Sequence, residues 1–383
     1  MHLRCVRGIT VLAVVAATLG LGAPGAGATQ SSADAALATA LHQLVASPGG
    51  PPMVAVVVDR GTGPTLVSAG TTVVGTTTPP ALNDQMRLAS VAKAFSGAVA
   101  LALVRSGTVS LGDTVGRWLP SLPTAWSKVT IRQLLNHTSG IPDFSGSEGF
   151  ASALQAAPFT APPPAQLLSY VANEPLEFKP GSRYRYSNSD NIVVGLIAQA
   201  ATGRPYESVL QDRVVGPFGL TGTSLPSDAT LASPAIHGYA VAPGQPPEDA
   251  TVTFAQGWAW ASGGVSSTPA DANRFIRAYV RGAETNQATR AQQFQFVANA
   301  SSEPPGPGAN QAGLALFRYE TKCGTVYGHT GNTPGYTQFF AATKDGSRSV
   351  VVTANAQLTP KNAPNLFKRL RAIYTLAVCA AQA

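Results

Sequence analysis

The sequence predicts an α+β fold in which one antiparallel sheet is built from both ends of the chain. Strand patterns occur near the beginning and again near the end, while helical patterns and loops rich in Pro and Gly fill the segment between them. The 383 residues are enough for a substantial core. We therefore expect a sheet flanked by terminal helices, an inserted all-helical lobe, and a ligand cleft between the two lobes.

The first part of the chain predicts a helix, a hairpin and a second helix. A helix is expected over residues 35–45, and the apolar run 53–59 followed by a Gly-rich turn and residues 65–68 predicts a hairpin. Residues 88–104 predict a buried helix, because apolar residues recur every three or four positions and Lys93 is the only charged residue.

Helical patterns dominate the middle of the chain, and strands return after it. Further helices are expected at residues 129–136, 167–173, 189–202 and 268–283. After a surface loop at 304–307, strands are expected at residues 313–319, 325–329, 338–342 and 349–355. An amphipathic helix over 361–378 closes the chain. We therefore assign a sheet lobe to about residues 35–108 and 285–383, and a helical lobe to about residues 109–284.

The first 28 residues have the pattern of a secretory signal. Arg4 and Arg7 precede an apolar run at 9–21 that is too short to span a bilayer, and Ala26-Gly27-Ala28 is a small-x-small cleavage site. A buried N-terminal helix is the alternative. No later apolar run is long and charge-free enough for a membrane anchor. We therefore expect a secreted, monomeric domain of residues 29–383, extracellular or associated with the cell wall.

The charge composition gives no indication of nucleic-acid binding. The formal net charge is +7 and charged residues make up 12% of the chain, but no basic stripe with interleaved aromatic residues occurs. This charge predicts at most a mild attraction to anionic cell-wall polymers.

Two cysteines, Cys323 and Cys379, would remain after removal of the signal. An exported protein allows them to pair, and a disulfide near the C-terminus would hold the last helix. Two unpaired, buried thiols are the alternative.

A hydroxyl and an amine lie one turn apart at the start of the predicted buried helix. Ser90 and Lys93 are three residues apart and therefore share a helix face. A buried ammonium is costly unless it is paired or loses its proton, and a hydroxyl beside such an amine is the arrangement of an activated nucleophile. The alternative is a serine N-cap followed by a lysine whose stem reaches water.

Two further patterns carry residues that catalysis uses. Tyr186 begins a Tyr-x-Asn triplet in a loop of the helical lobe, and His329 begins His-Thr-Gly at the end of a strand. No Gly-x-Ser-x-Gly, His-Glu-x-x-His or paired Cys-x-x-Cys pattern occurs, so the sequence predicts neither an α/β-hydrolase serine nor a metal site, and no cofactor.

With these three motifs the chain resembles the penicillin-recognising serine hydrolases, within them the class C β-lactamase branch and its secreted D-alanyl-D-alanine carboxypeptidases. Ser90-Val91-Ala92-Lys93 is similar to the family's Ser-x-x-Lys, Tyr186-Ser187-Asn188 to its Tyr-x-Asn, and His329-Thr330-Gly331 to its Lys/His-Thr-Gly. Framework segments match at residues 134–141, 178–181, 215–220 and 262–265. The resemblance covers about residues 35–380 and implies the β-lactamase/transpeptidase-like fold.

The resemblance implies a catalytic role for three residues. Ser90 would be the acylated nucleophile, and Lys93 would hold and polarise its proton. A nearby Lys93 ammonium would favour the phenolate of Tyr186, so the two groups should titrate as a unit. A plain packing role in the loop is the alternative for Tyr186.

The same resemblance implies a set of substrate-binding groups. The amide of Asn188 would donate to a substrate carbonyl, and the backbone N–H groups of Ser90 and Asn332 would form an oxyanion hole. His329 and Thr330 would hold the carboxylate of the substrate, with a satisfied strand-end histidine as the alternative. We interpret His137 as structural. The implied substrate-binding residues are Asn188, His329, Thr330, Gly331, Asn332 and Trp260, although Trp258 and Trp260 are equally typical of a core.

Together with the signal pattern, the resemblance implies a secreted serine D,D-carboxypeptidase that cleaves the terminal D-Ala-D-Ala bond of peptidoglycan stem peptides through an acyl-enzyme and is acylated by penicillins. Tyr-Ser-Asn with His-Thr-Gly fits that branch better than the lactamases proper, which have Tyr-Ala-Asn with Lys-Thr-Gly. Asn332 differs from the hydroxyl residue often seen after the triplet. A β-lactamase, a serine esterase or D-amino-acid peptidase of the same fold, and a non-catalytic wall-binding module are the alternatives.

Overall fold

The structure is a computed structural model that describes residues 32–383, so the predicted signal segment and its cleavage site lie outside the described residues. The helices are α1 Ser32–Val45, α2 Ala92–Arg105, α3 Val115–Trp118, α4 Ile131–Leu135, α5 Glu148–Ala156, α6 Pro164–Leu167, α7 Asn188–Thr202, α8 Tyr206–Leu210, α9 Trp260–Gly263, α10 Pro269–Arg281, α11 Gln287–Gln293 and α12 Pro364–Gln382. The strands are β1 Met53–Asp59, β2 Pro64–Gly70, β3 Met86–Arg87, β4 Tyr239–Ala240, β5 Glu248–Asp249, β6 Ser266–Ser267, β7 Ala309–Ala312, β8 Phe317–Thr321, β9 Gly324–Thr333, β10 Tyr336–Ala342 and β11 Ser349–Ala354.

One seven-stranded sheet joins the two ends of the chain, as the sequence predicts. Its strand order is β2–β1–β11–β10–β9–β8–β7, and each neighbouring pair is antiparallel. β1 pairs directly with β11, with Val54 opposite Ala354 and Asp59 opposite Ser349. The predicted α+β class with an antiparallel sheet is therefore confirmed.

Helices cover both faces of this sheet. Val54 and Val56 belong to the core that the sheet forms with α1 and α12, whereas Ala55 and Val57 belong to the core formed with α2 and α10. Because alternate residues of a strand point to opposite faces, a strand covered on both sides is apolar throughout. This explains why β1 has no polar residue before Asp59.

The helix that the sequence predicts to be buried is α2, and nearly its whole length is enclosed by the protein. Every residue from Ala92 to Leu103 is buried, and the ring of Phe95 stacks on that of Phe275 in α10 with centroids 3.6 Å apart. The helix is preceded by a 3-10 turn over Ala89–Val91 rather than beginning directly at residue 88. Its position against α7, α9 and the sheet fixes the place of Ser90 and Lys93.

Several sequence predictions differ from the structure. The strand expected over 313–319 is only partly a strand, because residues 313–316 form the connection that follows β7, which ends at Ala312, and β8 begins only at Phe317. The helix expected over 167–173 is α6 followed by a 3-10 turn at Leu168–Tyr170. The loop 304–307 is not a surface loop: Pro304 is buried, and its carbonyl accepts a hydrogen bond of 2.6 Å from the hydroxyl of Thr330.

A disulfide joins Cys323 to Cys379, with Cα atoms 5.1 Å apart, so the predicted pairing is confirmed. It links the turn between β8 and β9 to α12. Among residues 32–383, none of the helices has the length and apolar character needed to cross a bilayer. The assignment of lobes and the monomeric state stay predictions.

Candidate active site

Ser90 lies in the 3-10 turn that leads into α2, and this turn packs against β9 and β10 of the sheet. The residue before it, Ala89, has a φ of +50°, a left-handed conformation that is strained for a residue with a side chain. The Ser90 side chain makes no cap hydrogen bond to the helix, and Lys93 is completely buried. The alternative interpretation, an N-cap serine followed by a lysine that reaches water, is therefore wrong.

The Lys93 amine is held by three oxygen atoms. Its Nζ lies 3.1 Å from Ser90 Oγ, 2.6 Å from Asn188 Oδ1 and 2.7 Å from the carbonyl oxygen of Ser262. An amide oxygen and a backbone carbonyl can only accept hydrogen bonds, so each of them requires an N–H from Lys93. When the amine is neutral, its remaining position is a lone pair that faces the hydroxyl of Ser90.

The protonation state of Lys93 is set mainly by burial. Removal from water lowers the pKa of Lys93 to about 7, against the opposing effect of Asp143, Glu303 and Asp190. A substantial fraction of the protein therefore has a neutral Lys93 at neutral pH. This amine is able to accept the proton of Ser90.

Tyr186 lies beside this pair, but its charge state differs from the one expected. Lys93 Nζ is 5.0 Å from the centroid of the Tyr186 ring. Burial nevertheless raises the pKa of Tyr186 well above its ordinary value, and the neighbouring Ser90 hydroxyl only partly opposes this. The expectation of a Tyr186 phenolate stabilised by a Lys93 ammonium is therefore wrong, because burial disfavours both charges. Tyr186 is 7% exposed, and its hydroxyl makes no hydrogen bond of regular geometry to any residue of 32–383.

A buried network of polar side chains packs against the Tyr186 ring. The rings of His137 and Tyr186 have centroids 4.6 Å apart, and His137 Nδ1 lies 2.8 Å from a carboxyl oxygen of Asp190. Asp190 also accepts a hydrogen bond of 2.5 Å from Ser139. Burial lowers the pKa of His137 to about 3 and raises that of Asp190, so His137 is neutral. This network agrees with the interpretation of His137 as a structural residue.

The His-Thr-Gly segment lies on β9, directly beside the turn that carries Ser90. A Cβ atom placed on Gly331 would be 2.9 Å from the Ser90 nitrogen and 2.6 Å from the Leu88 carbonyl oxygen. Only glycine therefore permits β9 to approach this turn. Asn332, the next residue on β9, accepts a hydrogen bond of 2.6 Å from the side chain of Gln357 through its own side-chain oxygen.

His329 and Thr330 are in the expected place but have different contacts from those expected. His329 is fully buried, burial lowers its pKa to about 3, and its Nε2 has no hydrogen-bond partner among the described residues. The Thr330 hydroxyl donates a hydrogen bond to the carbonyl oxygen of Pro304. Neither side chain therefore presents a positive charge or a free hydroxyl to the carboxylate of a substrate in this structure.

The mouth of the site contains two carboxyl groups that sequence reasoning missed. Asp143 accepts a hydrogen bond of 2.9 Å from the amide nitrogen of Asn188, which also donates to Ser145. The amide of Asn188 is thus engaged by the protein, whereas we expected it to be free for a substrate carbonyl. The pKa of Glu303 is raised by burial and by the neighbouring Asp143. No motif marks either residue, since each comes from a loop that only the fold brings to the site.

Trp260 lies away from the site, contrary to the expected position in the cleft. It is 3% exposed, its indole nitrogen donates to Glu207 at 2.6 Å, and its ring packs edge-on against Tyr206 with centroids 5.0 Å apart. Gly195 of α7 provides the space for this ring, because a Cβ there would be 2.7 Å from it. Trp260 is therefore a core residue between α7, α8 and α9.

Within the described part of the chain, no group of three or more His, Cys, Asp or Glu side chains is arranged to hold a metal ion. The site brings together a serine hydroxyl, an amine whose pKa is lowered by burial to about 7, and a phenol whose pKa is raised by burial. This set is suited to acyl transfer through a covalent serine ester.

Comparison with known proteins gives consistent matches. A family model described as Beta-lactamase matches residues 37–375. Penicillin-binding protein 4* of Bacillus subtilis (strain 168) is 27% identical over 293 residues, which are 73% of this chain and 62% of that protein. The D-alanyl-D-alanine-carboxypeptidase/endopeptidase AmpH of Escherichia coli (strain K12) is 29% identical over 317 residues, 77% of each chain.

A solved structure gives a match of similar extent. The D-stereospecific amidohydrolase from Streptomyces sp. superposes with a TM-score of 0.76 at 27% identity, covering 88% of this chain and 97% of that chain. The chain thus spans nearly all of this structure, but less than two thirds of the length of the Bacillus subtilis relative.

Proposed function

Because this chain belongs to the Beta-lactamase family of serine hydrolases and has its α+β fold, we propose that it is a secreted serine D,D-carboxypeptidase. It cleaves the terminal D-Ala-D-Ala bond of peptidoglycan stem peptides through an acyl-enzyme on Ser90, and penicillins acylate the same residue. The relative named as a D-alanyl-D-alanine carboxypeptidase/endopeptidase supports this choice of substrate.

The observation that carries the proposal is the distance of 3.1 Å between Lys93 Nζ and Ser90 Oγ. Two carbonyl oxygens fix the other N–H groups of Lys93, so a neutral amine directs its lone pair to the serine. Lys93 accepts the serine proton while Ser90 Oγ attacks the carbonyl carbon of the substrate.

The developing oxyanion is stabilised by backbone N–H groups. Ser90 is at the beginning of a helix, where N–H groups have no intrahelical acceptor, and Asn332 lies on the neighbouring strand. The close approach at Gly331 holds these two backbones together.

Tyr186 acts as the acid that the leaving group requires. Its raised pKa keeps the phenol protonated at neutral pH, and no residue of the described chain takes its proton in a regular hydrogen bond. When the amide bond breaks, the departing D-Ala nitrogen takes this proton, and the proton held by Lys93 restores the phenol. Water then hydrolyses the ester on Ser90 by the same steps in reverse.

The test is release of D-Ala from an N-acyl-D-Ala-D-Ala peptide, with Ser90→Ala as the inactive control. We expect release by the wild type and a covalent Ser90 adduct with fluorescent penicillin. If the wild type releases no D-Ala but hydrolyses aryl esters rapidly, the protein is an esterase. A stable adduct favours the carboxypeptidase, whereas rapid turnover of nitrocefin would identify a β-lactamase.

A second candidate is the hydrolysis of amides or peptides of D-amino acids that have a free amino group. The carboxyl groups of Asp143 and Glu303 at the mouth of the site favour a substrate ammonium over a substrate carboxylate, and the described contacts of His329 and Thr330 offer no cation. The name of the Streptomyces relative, a D-stereospecific amidohydrolase, is consistent with this candidate.

Glu303→Gln separates the two candidates. If the substrate has a free amine, this variant should raise KM for D-Ala-p-nitroanilide and leave KM for its N-acetyl form unchanged. If the substrate has a free carboxylate, the same variant should lower KM for the acyl-D-Ala-D-Ala peptide, since one like charge is removed.

Export is part of the proposal and has its own measurement. Mass spectrometry of the protein from the culture medium should find an N-terminus just after Ala28. A protein that is retained in the cell with Met1 intact would contradict secretion without affecting the proposed reaction.

A further inference from the structure

A cavity lies at the opposite end of α2 from Ser90. Its volume is about 570 Å³, and its wall includes Arg105, the last residue of α2. At ~1.5 Å of rise per residue, the fifteen positions from Ser90 to Arg105 place it roughly 20 Å away. It is formed by the end of β1, α10 and the segment after α8, so it is separate from the cleft that holds Lys93 and Tyr186.

The wall of this cavity is strongly basic. Five of the chain's 26 basic residues line it: Arg105, Arg213, Arg274, Arg277 and Arg281. Three of these arginines lie on α10 at spacings of three and four residues, so they share one face of that helix. In a chain with only 12% charged residues, this concentration of like charge repels itself and attracts anions.

The partners inside the protein compensate only part of this charge. Arg277 pairs with Asp59, and Arg274 pairs with Asp271 at 3.3 Å. Arg105 donates to the carbonyl oxygen of Ala283 at 3.0 Å, which leaves its charge unneutralised.

The side chains of the two remaining arginines, Arg213 and Arg281, are exposed and make no hydrogen bond or ion pair in the described part of the chain. Both guanidinium groups are therefore available to a ligand. A guanidinium group presents a planar fork of N–H donors that matches the oxygen atoms of a phosphate.

A buried carboxyl group completes the wall. Glu284 is 1% exposed, and neither of its side-chain oxygens is hydrogen-bonded to another residue within 32–383. Burial raises the pKa of Glu284 to about 8, so the group is largely protonated at pH 7 and neutralises little of the arginine charge.

We infer that this cavity binds a phosphate-bearing anion, held by the unpaired guanidinium groups of Arg213 and Arg281 and attracted by the charge of Arg105. The volume admits an oligophosphate or a short segment of a phosphodiester polymer. The inference is independent of the proposed reaction at Ser90, since the two sites share no residue.

Isothermal titration calorimetry at low salt tests the inference, with sodium tripolyphosphate in one arm and poly(glycerol phosphate) in the other. We expect saturable binding of at least one probe. The double variant Arg213→Gln/Arg281→Gln should weaken that binding at least tenfold, because charge-assisted contacts to two guanidinium groups are lost. Which probe binds decides whether the phosphate comes from a small molecule or from a polymer.

The matched control is Lys361→Gln, which removes an exposed charge outside the cavity and should change affinity less than twofold. Unchanged circular dichroism and thermal midpoints would show that both variants fold. Absence of saturable binding in both arms, or an equal loss in the control, would overturn the inference, since binding would then follow overall charge rather than this cavity.

Discussion

Lys93 is the residue on which the chemistry of the site depends, and its three contacts divide into two kinds. Asn188 Oδ1 and the Ser262 carbonyl accept only, whereas Ser90 Oγ can donate or accept. A change in the protonation of Lys93 therefore reverses one hydrogen bond and leaves two in place. The amine can take and return a proton without moving its neighbours.

The rate of Ser90 acylation should follow the neutral fraction of Lys93. Since the pKa of Lys93 is lowered to about 7 and the neutral form is the base, the acylation rate should rise with pH and be half-maximal near pH 7. Stopped-flow measurement of acylation by an aryl ester between pH 5.5 and 9 gives this profile. A flat profile would contradict the assignment of Lys93 as the base.

Lys93→Arg keeps the positive charge but cannot supply a neutral amine at these pH values. We expect acylation to fall by at least ~100-fold at every pH. Retention of more than a tenth of the wild-type rate would show that the charge, rather than the base, is what Ser90 requires.

Tyr186→Phe should separate catalysis from stability. Because the buried hydroxyl of Tyr186 makes no regular hydrogen bond to the described chain, its removal should change the free energy of unfolding by less than about 1 kcal/mol. Turnover should fall by at least ~100-fold, since the leaving group loses its acid. Urea unfolding and kcat for an amide substrate measure the two effects.

Tyr206→Phe is the matched control for this variant. Its hydroxyl is also buried without a regular partner, but it packs against Trp260 in the core. It should leave both stability and turnover nearly unchanged. If it lowered turnover as much as Tyr186→Phe, the loss would not be specific to the site.

At the residue scale, the sequence predicted the groups that stand next to each other but not their charges. Ser90, Lys93 and Tyr186 lie close together in the structure. Their proximity could be expected because each belongs to one of the three sequence motifs. The protonated phenol follows from burial by residues distant in the chain, which no local pattern contains. Asp143 and Glu303 were missed for the same reason.

At the scale of elements, the critical contact is between β9 and the turn that precedes α2. A Cβ on residue 331 would be 2.9 Å from the Ser90 nitrogen, closer than real Cβ contacts allow. The two backbones would have to move apart, and the N–H groups that face the oxyanion would move with them.

Gly331→Ala should therefore lower both stability and activity. We expect a loss of about 1–3 kcal/mol in the free energy of unfolding from overpacking, and a loss of about 100-fold in acylation from displaced donors. Gly112→Ala is the control, since its Cβ would meet nothing closer than 3.8 Å. Denaturant unfolding measures the stability of each variant, and burst kinetics measure its acylation rate. A normal acylation rate in Gly331→Ala would contradict the role of this contact.

Elements with strong periodicity were predicted closely, and those fixed by tertiary contacts were not. The strand β1 and the helix α7 begin and end within one residue of their expected bounds. The break between β7 and β8 was not predicted, because it depends on a tertiary contact. The chain passes close to the carbonyl oxygen of Gln293 at Gly313, where a Cβ would be only 2.5 Å from that oxygen. An apolar run spanning such a turn cannot be distinguished from one strand in sequence alone.

For the whole molecule, the disulfide between Cys323 and Cys379 connects the outer strands of the sheet to the last helix. It closes a loop of 56 residues, which the chain-entropy model values at ~4 kcal/mol. Cys323→Ala/Cys379→Ala should lower the free energy of unfolding by about that amount and leave acylation at Ser90 unchanged. Urea unfolding with and without reductant measures it, and equal stability of both forms would contradict the expectation.

The pairing of β1 with β11 has a consequence for how the molecule is made. The Met53 amide donates to the side chain of Asn355 at 2.7 Å, so the centre of the sheet is complete only when residues 302 positions apart have met. Contacts of such long range slow folding, and until they form, the N-terminal hairpin exposes an unpaired apolar edge that other chains can join. Nearly the entire polypeptide must therefore be synthesised before Ser90 and Lys93 are buried together. Incomplete chains can aggregate but have no assembled site.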